Sequence, residues 1–124
     1  MKTKQQLCKK EKDSCILLAK KIVKEKANYT CVKCGRKDKQ LQGSHIYPVG
    51  RYGAMAADTD NILCLCAGCH MWSNDSWHEN PLESAEWFHQ KYPERYQTLK
   101  ERSWLNQKAD IIFWKKKRNL LEKL

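Results

Sequence analysis

Apolar residues recur at helical spacing in both terminal parts of the chain. Over positions 3–27 they share one stripe of a predicted helix, and lysines occupy the other faces. The members of this stripe are Leu7, Cys8, Cys15, Leu18, Ile22 and Val23. From Ala109 onward a second stripe consists of Ile111, Ile112, Trp114, Leu120 and Leu121. The pattern therefore predicts a basic amphipathic helix at each end of the chain.

Two short strands are predicted in the middle of the chain. Residues 41–47 alternate loosely between polar and apolar types and stop before a proline, and residues 61–66 form an apolar run. The intervening residues 48–60 are rich in glycine and other small side chains, so we expect a long loop there. A helix should begin close to residues 68–70.

A strong helix-start signal follows at Asn80. The Asn80 side chain can cap a helix, Pro81 suits the first helical position, and Glu83 stands three residues after the cap. We expect an apolar face that is formed by Leu82, Ala85, Trp87, Phe88 and Tyr92. Pro93 should end this helix, and a further helix is expected over residues 94–106.

The chain is strongly basic. Its 124 residues include 24 lysines and arginines against 14 aspartates and glutamates, which gives a formal net charge of +10. This excess favours a polyanionic partner, with nucleic acid first and an anionic membrane surface second, although a basic protein without such a partner would look the same. No stretch approaches the roughly 20 apolar residues of a membrane span, and no apolar run follows the N-terminal lysines. We therefore expect neither a membrane-spanning nor a secreted protein.

Four of the seven cysteines form two pairs with metal-ligand spacing, Cys31-x-x-Cys34 and Cys66-x-x-Cys69. Four thiolates meet the tetrahedral preference of Zn²⁺, and each spacing lets a tight turn direct two sulfurs at one ion. The sequence predicts a structural Zn²⁺ site. Two unrelated pairs of reduced cysteines and a single redox-active pair are the alternatives. Cys64 alternates with Cys66 along the predicted strand, so we expect it to face the core.

The middle of the chain resembles the HNH endonucleases. The resemblance rests on Gly43-Ser44-His45-Ile46 and on the run from Asp60 to His70, interlaced with the two cysteine pairs. It extends over about residues 29–105 and is strongest to zinc-stapled members of the phage and prophage type. A weaker similarity is to NinG-type phage recombination proteins.

The resemblance implies an α+β fold with a small ββα-metal core. It divides the chain into an N-terminal basic helix over 1–28, a zinc-stapled nuclease core over 29–92 and a basic helical extension over 93–124. It further implies that His45 is the general base, that Asn61 holds the loop that orients this base, and that His70 binds a catalytic divalent metal. The metal would be Mg²⁺, Mn²⁺, Ni²⁺ or Zn²⁺.

The remaining ligand of this metal has three candidates. Many family members carry a metal ligand just before the base histidine, where this chain has Ser44, and others place one a helical turn after the closing histidine, where this chain has Asn74. The third candidate is His78, which we prefer. On an unbroken helix His70 and His78 would be about 12 Å apart, so His78 requires a break within residues 73–76.

The predicted function is a metal-dependent DNA endonuclease in the cytoplasm of a bacterium or a phage-infected host cell. Arg51, in the loop after His45, is a candidate phosphate contact. DNA is the expected partner, and a phage packaging or recombination complex is a further one; no membrane contact is expected. The alternative is a zinc-stapled DNA-binding module without catalysis.

Overall fold

The computed structural model describes residues 1–38, 40–105 and 107–124. Within them the chain forms four α-helices and one two-stranded sheet. In chain order these are α1 (Lys4–Lys26), β1 (Leu41–His45), β2 (Ile62–Cys66), α2 (Pro81–Lys91), α3 (Pro93–Ser103) and α4 (Ile111–Glu122). The predicted α+β fold class is confirmed. The predicted end of the third helix at Asn106 lies outside the described residues.

Three of the helices begin at side-chain caps. At α1, Thr3 and Gln6 form a reciprocal capping box, since each side chain accepts a hydrogen bond from the other's backbone N–H. At α2, Asn80 accepts from the N–H of Glu83, and at α4 Asp110 caps in the same way. Among the described helices, none has both the length and the apolar composition that crossing a bilayer requires.

The two strands pair antiparallel in one register. Leu41 lies opposite Cys66, and His45 lies opposite Ile62. His45 is therefore at the loop end of the hairpin and Cys66 at the open end, which separates the histidine from the cysteine pairs along the strand direction.

Apolar side chains pack against both faces of the hairpin, because successive residues of β2 point to opposite sides. One buried cluster joins α1, α4 and the loop to the sheet through Cys15, Ala19, Ile22, Ala56, Ala57, Ile62, Trp114 and Leu121. A second buried cluster joins the turn at residues 31–35, α2 and α3 to the sheet. Its members are Cys31, Met55, Leu63, Leu65, Cys66, Phe88 and Leu99. The terminal helices α1 and α4 thus share a core with the hairpin, and the three-part division of the chain stays a prediction.

The apolar face of α2 is narrower than its sequence indicates. Phe88 is buried, but Leu82 is 84% exposed and Ala85 is also exposed. One turn before Phe88, the buried residue of α2 is polar. It is Ser84, whose hydroxyl donates a hydrogen bond to the Ser76 carbonyl at 3.2 Å. Of the expected apolar face, Phe88, Trp87 and Tyr92 contact the core, whereas Leu82 and Ala85 face solvent because α2 touches the core along only one stripe.

Gly43 allows α1 to approach the sheet. A Cβ added at Gly43 would lie 2.5 Å from Cγ of Lys20 and 3.0 Å from its Cβ and Cδ. These atoms are in the first part of the lysine side chain, so they cannot move away without a shift of the helix or a new rotamer. The Lys20 stem therefore occupies the volume that any larger residue at position 43 would need.

We expect Gly43→Ala to lower the free energy of unfolding by about 1–3 kcal/mol through overpacking against Lys20. Thermal unfolding followed by circular dichroism measures this. Gly50→Ala is the matched control, since a Cβ there meets nothing within 4 Å. Equal melting temperatures for the two variants would contradict the close packing at Gly43.

Candidate functional site

Four cysteine sulfurs converge at the open end of the hairpin. They belong to Cys31, Cys34, Cys66 and Cys69, and all lie within 4.8 Å of one another. The sulfurs of Cys34 and Cys66 are 3.6 Å apart. Four thiolates about 2.3 Å from one Zn²⁺ ion would be separated by roughly 3.8 Å. Donor type, number and spacing fit, so the four cysteines could hold a structural zinc.

The first cysteine pair lies in a tight turn that is bound to the second strand. Gly35 has a φ of 79° and donates its N–H to the Cys31 carbonyl at 2.9 Å, a conformation that favours glycine. The Val32 N–H donates to the Cys64 carbonyl at 3.0 Å. The turn therefore meets β2 through the backbone as well as through the sulfurs.

The thiols of this cluster differ in acidity. Burial raises the pKa of the Cys31 thiol, but hydrogen bonds from the backbone at Cys34, Cys66 and Lys33 outweigh this and lower it to about 7. Burial and contact with neighbouring sulfurs raise the pKa of Cys69 far above its usual value. One thiolate is thus favoured by the protein alone, and a cation is needed for all four to ionise together.

The helical segment at the second cysteine pair is only one turn long. Residues Gly68–Trp72 form a single π-helical turn, and Ser73 is extended with a ψ of 159°. The chain then folds back, so that the N–H of His78 donates to the His70 carbonyl at 3.1 Å. This brings the Nε2 atoms of His70 and His78 to 2.9 Å, with ring centroids 4.6 Å apart. Two imidazole nitrogens that face each other in this way can bind one cation between them.

Gln42 orients the His70 ring. Its Oε1 lies 2.7 Å from Nδ1 of His70, and an amide oxygen can only accept, so Nδ1 carries the proton and Nε2 keeps its lone pair. Burial, followed by the charges of His78, Lys20 and His45, lowers the pKa of His70. The imidazole is therefore held neutral, which is the form that binds a metal.

His45 is held by a backbone carbonyl. Its Nε2 lies 2.7 Å from the carbonyl oxygen of Ala56 and donates to it, which leaves Nδ1 as the basic nitrogen. Burial lowers the pKa of His45, the Ala56 carbonyl opposes this, and the charge of Lys20 adds to the lowering. His45 is thus a neutral base at the loop end of β1, near enough to His70 for its charge to affect the pKa of that ring.

Asn61 ties the two ends of the loop together. It is fully buried, its Oδ1 accepts from the Tyr47 N–H at 2.8 Å, and its Nδ2 donates to the carbonyls of Tyr47 and Met55 at 3.2 and 3.1 Å. Met55 directly precedes Ala56, whose carbonyl holds His45. The Asn61 amide therefore sets the backbone position on which the His45 hydrogen bond depends.

The other residues selected from the sequence have weaker surroundings. The Ser44 hydroxyl is buried and has no hydrogen-bond partner among the described residues. Asn74 is exposed in the bend that follows the π-helical turn. Arg51 is exposed, with its guanidinium 5.8 Å from the ring centroid of Tyr52.

Three contributors to the site were not found from the sequence. Gln42 and Lys20 are an ordinary glutamine and one of many lysines, and the Ala56 carbonyl belongs to the backbone. The strand register carries the available signal for Gln42, because it lies opposite Leu65, next to the metal-ligand pair. No sequence pattern distinguishes Lys20 from its neighbours on α1.

Comparison with known proteins supports the resemblance. Residues 31–77 match a family model described as HNH endonuclease, which supports the resemblance seen in the middle of the sequence. The chain is also 35% identical over 52 residues to "Anaredoxin" from Nostoc sp., an alignment that covers 42% of this chain and 66% of that protein. No solved structure matches the chain.

We expect Cys34→Ser to remove the zinc and to lower the melting temperature by at least about 10 °C, because structural zinc contributes folding free energy. Cys34 is exposed, so its replacement costs little packing and isolates the effect of the metal. Cys8→Ser is the control, since Cys8 lies outside the cluster. Zinc content by elemental analysis and thermal unfolding measure both effects. Unchanged values for Cys34→Ser would rule out the four-thiolate site.

Proposed function

We propose that this chain, whose residues 31–77 carry an HNH endonuclease-family module, is a metal-dependent endonuclease that hydrolyses DNA phosphodiester bonds. The observation that carries the proposal is the facing pair of Nε2 atoms of His70 and His78, 2.9 Å apart, together with a half-buried His45 whose pKa burial lowers. The two histidines are eight residues apart and meet only because the chain folds back after one helical turn.

His45 acts as the general base. Nε2 is bound to the Ala56 carbonyl, so Nδ1 accepts the proton of the water that attacks phosphorus. The proton then leaves to solvent from the imidazolium. Asn61 keeps the base in position through the loop, because its amide bonds to the backbone next to Ala56. It is a positioning residue and does not touch the substrate.

His70 and His78 would hold the divalent metal through their Nε2 atoms. The hydrogen bond from His70 Nδ1 to Gln42 fixes the tautomer that this requires. Two imidazole donors favour Ni²⁺ or Zn²⁺ over Mg²⁺, which prefers oxygen ligands. When bound, such an ion neutralises charge on the scissile phosphate and on the departing oxygen.

A basic groove offers a surface for DNA near the loop. It has a volume of about 990 Å³ and lies between the loop after β1, the end of α3 and α4. Arg51, Lys116 and Lys117 line it, together with Trp104, which is 70% exposed. Contacts of this kind position the phosphate backbone and specify no sequence. Arg51 is thus a candidate phosphate contact within the loop that holds His45.

The alternative is a zinc-stapled DNA-binding module without catalysis. One observation favours it: Ser44 occupies the position at which many family members carry a metal ligand, and a buried hydroxyl is a poor ligand for a divalent cation. The two functions share the zinc cluster and the basic surface. They differ in whether His45 is needed for any reaction.

We expect the wild type to nick or linearise plasmid DNA with Mn²⁺, Ni²⁺, Zn²⁺ or Mg²⁺, and His45→Ala to bind DNA normally but cut at least 10²-fold more slowly, because the general base is lost. Gel analysis of cleavage, and of binding without added divalent metal, measures both. His89→Ala is the control, since His89 stacks on Tyr96 at a ring distance of 3.9 Å. Equal cleavage by the wild type and His45→Ala, or no cleavage with any of these metals, would favour the non-catalytic module.

We expect the cleavage rate to stay level from pH 8 to about 7 and to fall only below the usual histidine pKa of about 6.5. The sign follows from His45, which must be neutral to act and whose pKa burial lowers, so that protonation sets in at a lower pH than in an ordinary histidine. Rates at two saturating metal concentrations separate this from loss of metal. A decline already complete at pH 7 would contradict a depressed pKa.

A further inference from the structure

One lysine of α1 lies against the strand that carries His45. The Lys20 stem packs on Gly43, two residues before His45 and one after Gln42. Lys20 is half-buried, whereas Lys21, the next residue on the helix, is exposed. Helix α1 precedes the segment that matches the family model, so the match assigns no role to Lys20.

The charge of Lys20 has no acidic partner. Among the described residues Lys9 pairs with Asp13 and Lys21 with Glu25, but no carboxylate lies within ion-pair distance of the Lys20 ammonium. Gly43 and His45 are two residues apart on β1 and so point to the same face of the strand, which places the Lys20 stem on the face that carries the His45 ring. The Lys20 charge also lowers the pKa of His45. A half-buried cation beside a neutral imidazole leaves a region of positive potential, which an anion would occupy favourably.

We propose that Lys20 binds the scissile phosphate of the nucleic acid beside His45, and stabilises the negative charge that develops there. This rests on the proposed function. An ammonium suits a non-bridging phosphate oxygen as a point charge, and it does so best where the surrounding protein excludes part of the solvent. Gly43 is then required for a second reason, because a side chain there would displace the stem that delivers the ammonium.

Three variants test the role of Lys20. Lys20→Met keeps the apolar stem over Gly43 and removes the charge, while Lys20→Arg keeps the charge. Lys21→Met removes the same charge from an exposed neighbour that pairs with Glu25, and serves as the matched control. Zinc content and melting temperature establish that each variant is folded before it is assayed.

We expect Lys20→Met to lower the cleavage rate at saturating DNA on the order of 10²-fold, Lys20→Arg to recover most of it, and Lys21→Met to cut like the wild type. Without added divalent metal, where no cleavage is expected, binding to a short DNA duplex is measured over a range of salt. The slope of log affinity against log salt should fall by about 0.9 for Lys20→Met, as the loss of one phosphate contact predicts. It should not change for Lys21→Met.

The outcomes separate the two proposals. If the wild type cuts and Lys20→Met cuts equally fast, the role of Lys20 is overturned and the endonuclease proposal stands. If the wild type does not cut with any of the metals tested, the endonuclease proposal fails. The salt slopes then decide whether Lys20 contacts a phosphate. A reduced slope for Lys20→Met alone then retains the phosphate contact, and equal slopes for both methionine variants reject it.

Discussion

The four cysteine sulfurs at the open end of the hairpin are the constraint on which the rest of the structure depends. They join a turn at residues 31–35 to the end of β2 and to the start of the following turn, so that segments far apart in sequence share one point. A two-stranded sheet is marginal by itself in water. Because Cys69 is adjacent to His70, a metal held by the sulfurs would also fix the backbone position of His70.

From that point a series of backbone interactions positions the histidines. The short turn after Cys69 ends at Ser73, and the chain returns so that His78 meets His70. At the other end of the hairpin, Asn61 binds the loop backbone and thereby the carbonyl that holds His45. The backbone thus sets where the three imidazoles lie, and the Ala56 carbonyl and the Gln42 amide orient the rings of His45 and His70.

Electrostatics acts in the same direction on His45 and His70. Burial lowers the pKa of His45 and of His70, and the Lys20 charge acts in the same direction on both. Neutral imidazoles beside a cation suit an anionic substrate. An unprotonated ring carries no positive charge, so the negative charge of the substrate is left to the cation. Helix α1 therefore covers the hairpin and also contributes the charge of Lys20, a residue that lies outside the matched segment 31–77.

Much of the fold and part of the site could be predicted from the sequence. The cap at Asn80, the zinc spacing and the order of strand, loop and strand are local patterns, and local patterns depend on neighbouring residues alone. The resemblance to the HNH endonucleases added the expected fold class and the choice of His45, Asn61 and His70 as candidates. Only the tertiary structure decided that Leu82 is exposed, that Gln42 and the Ala56 carbonyl hold the two rings, and that the Lys20 stem packs on Gly43. The reason is that such contacts join residues from separate elements, and their distances are set by packing and strand register, which no spacing along the chain encodes.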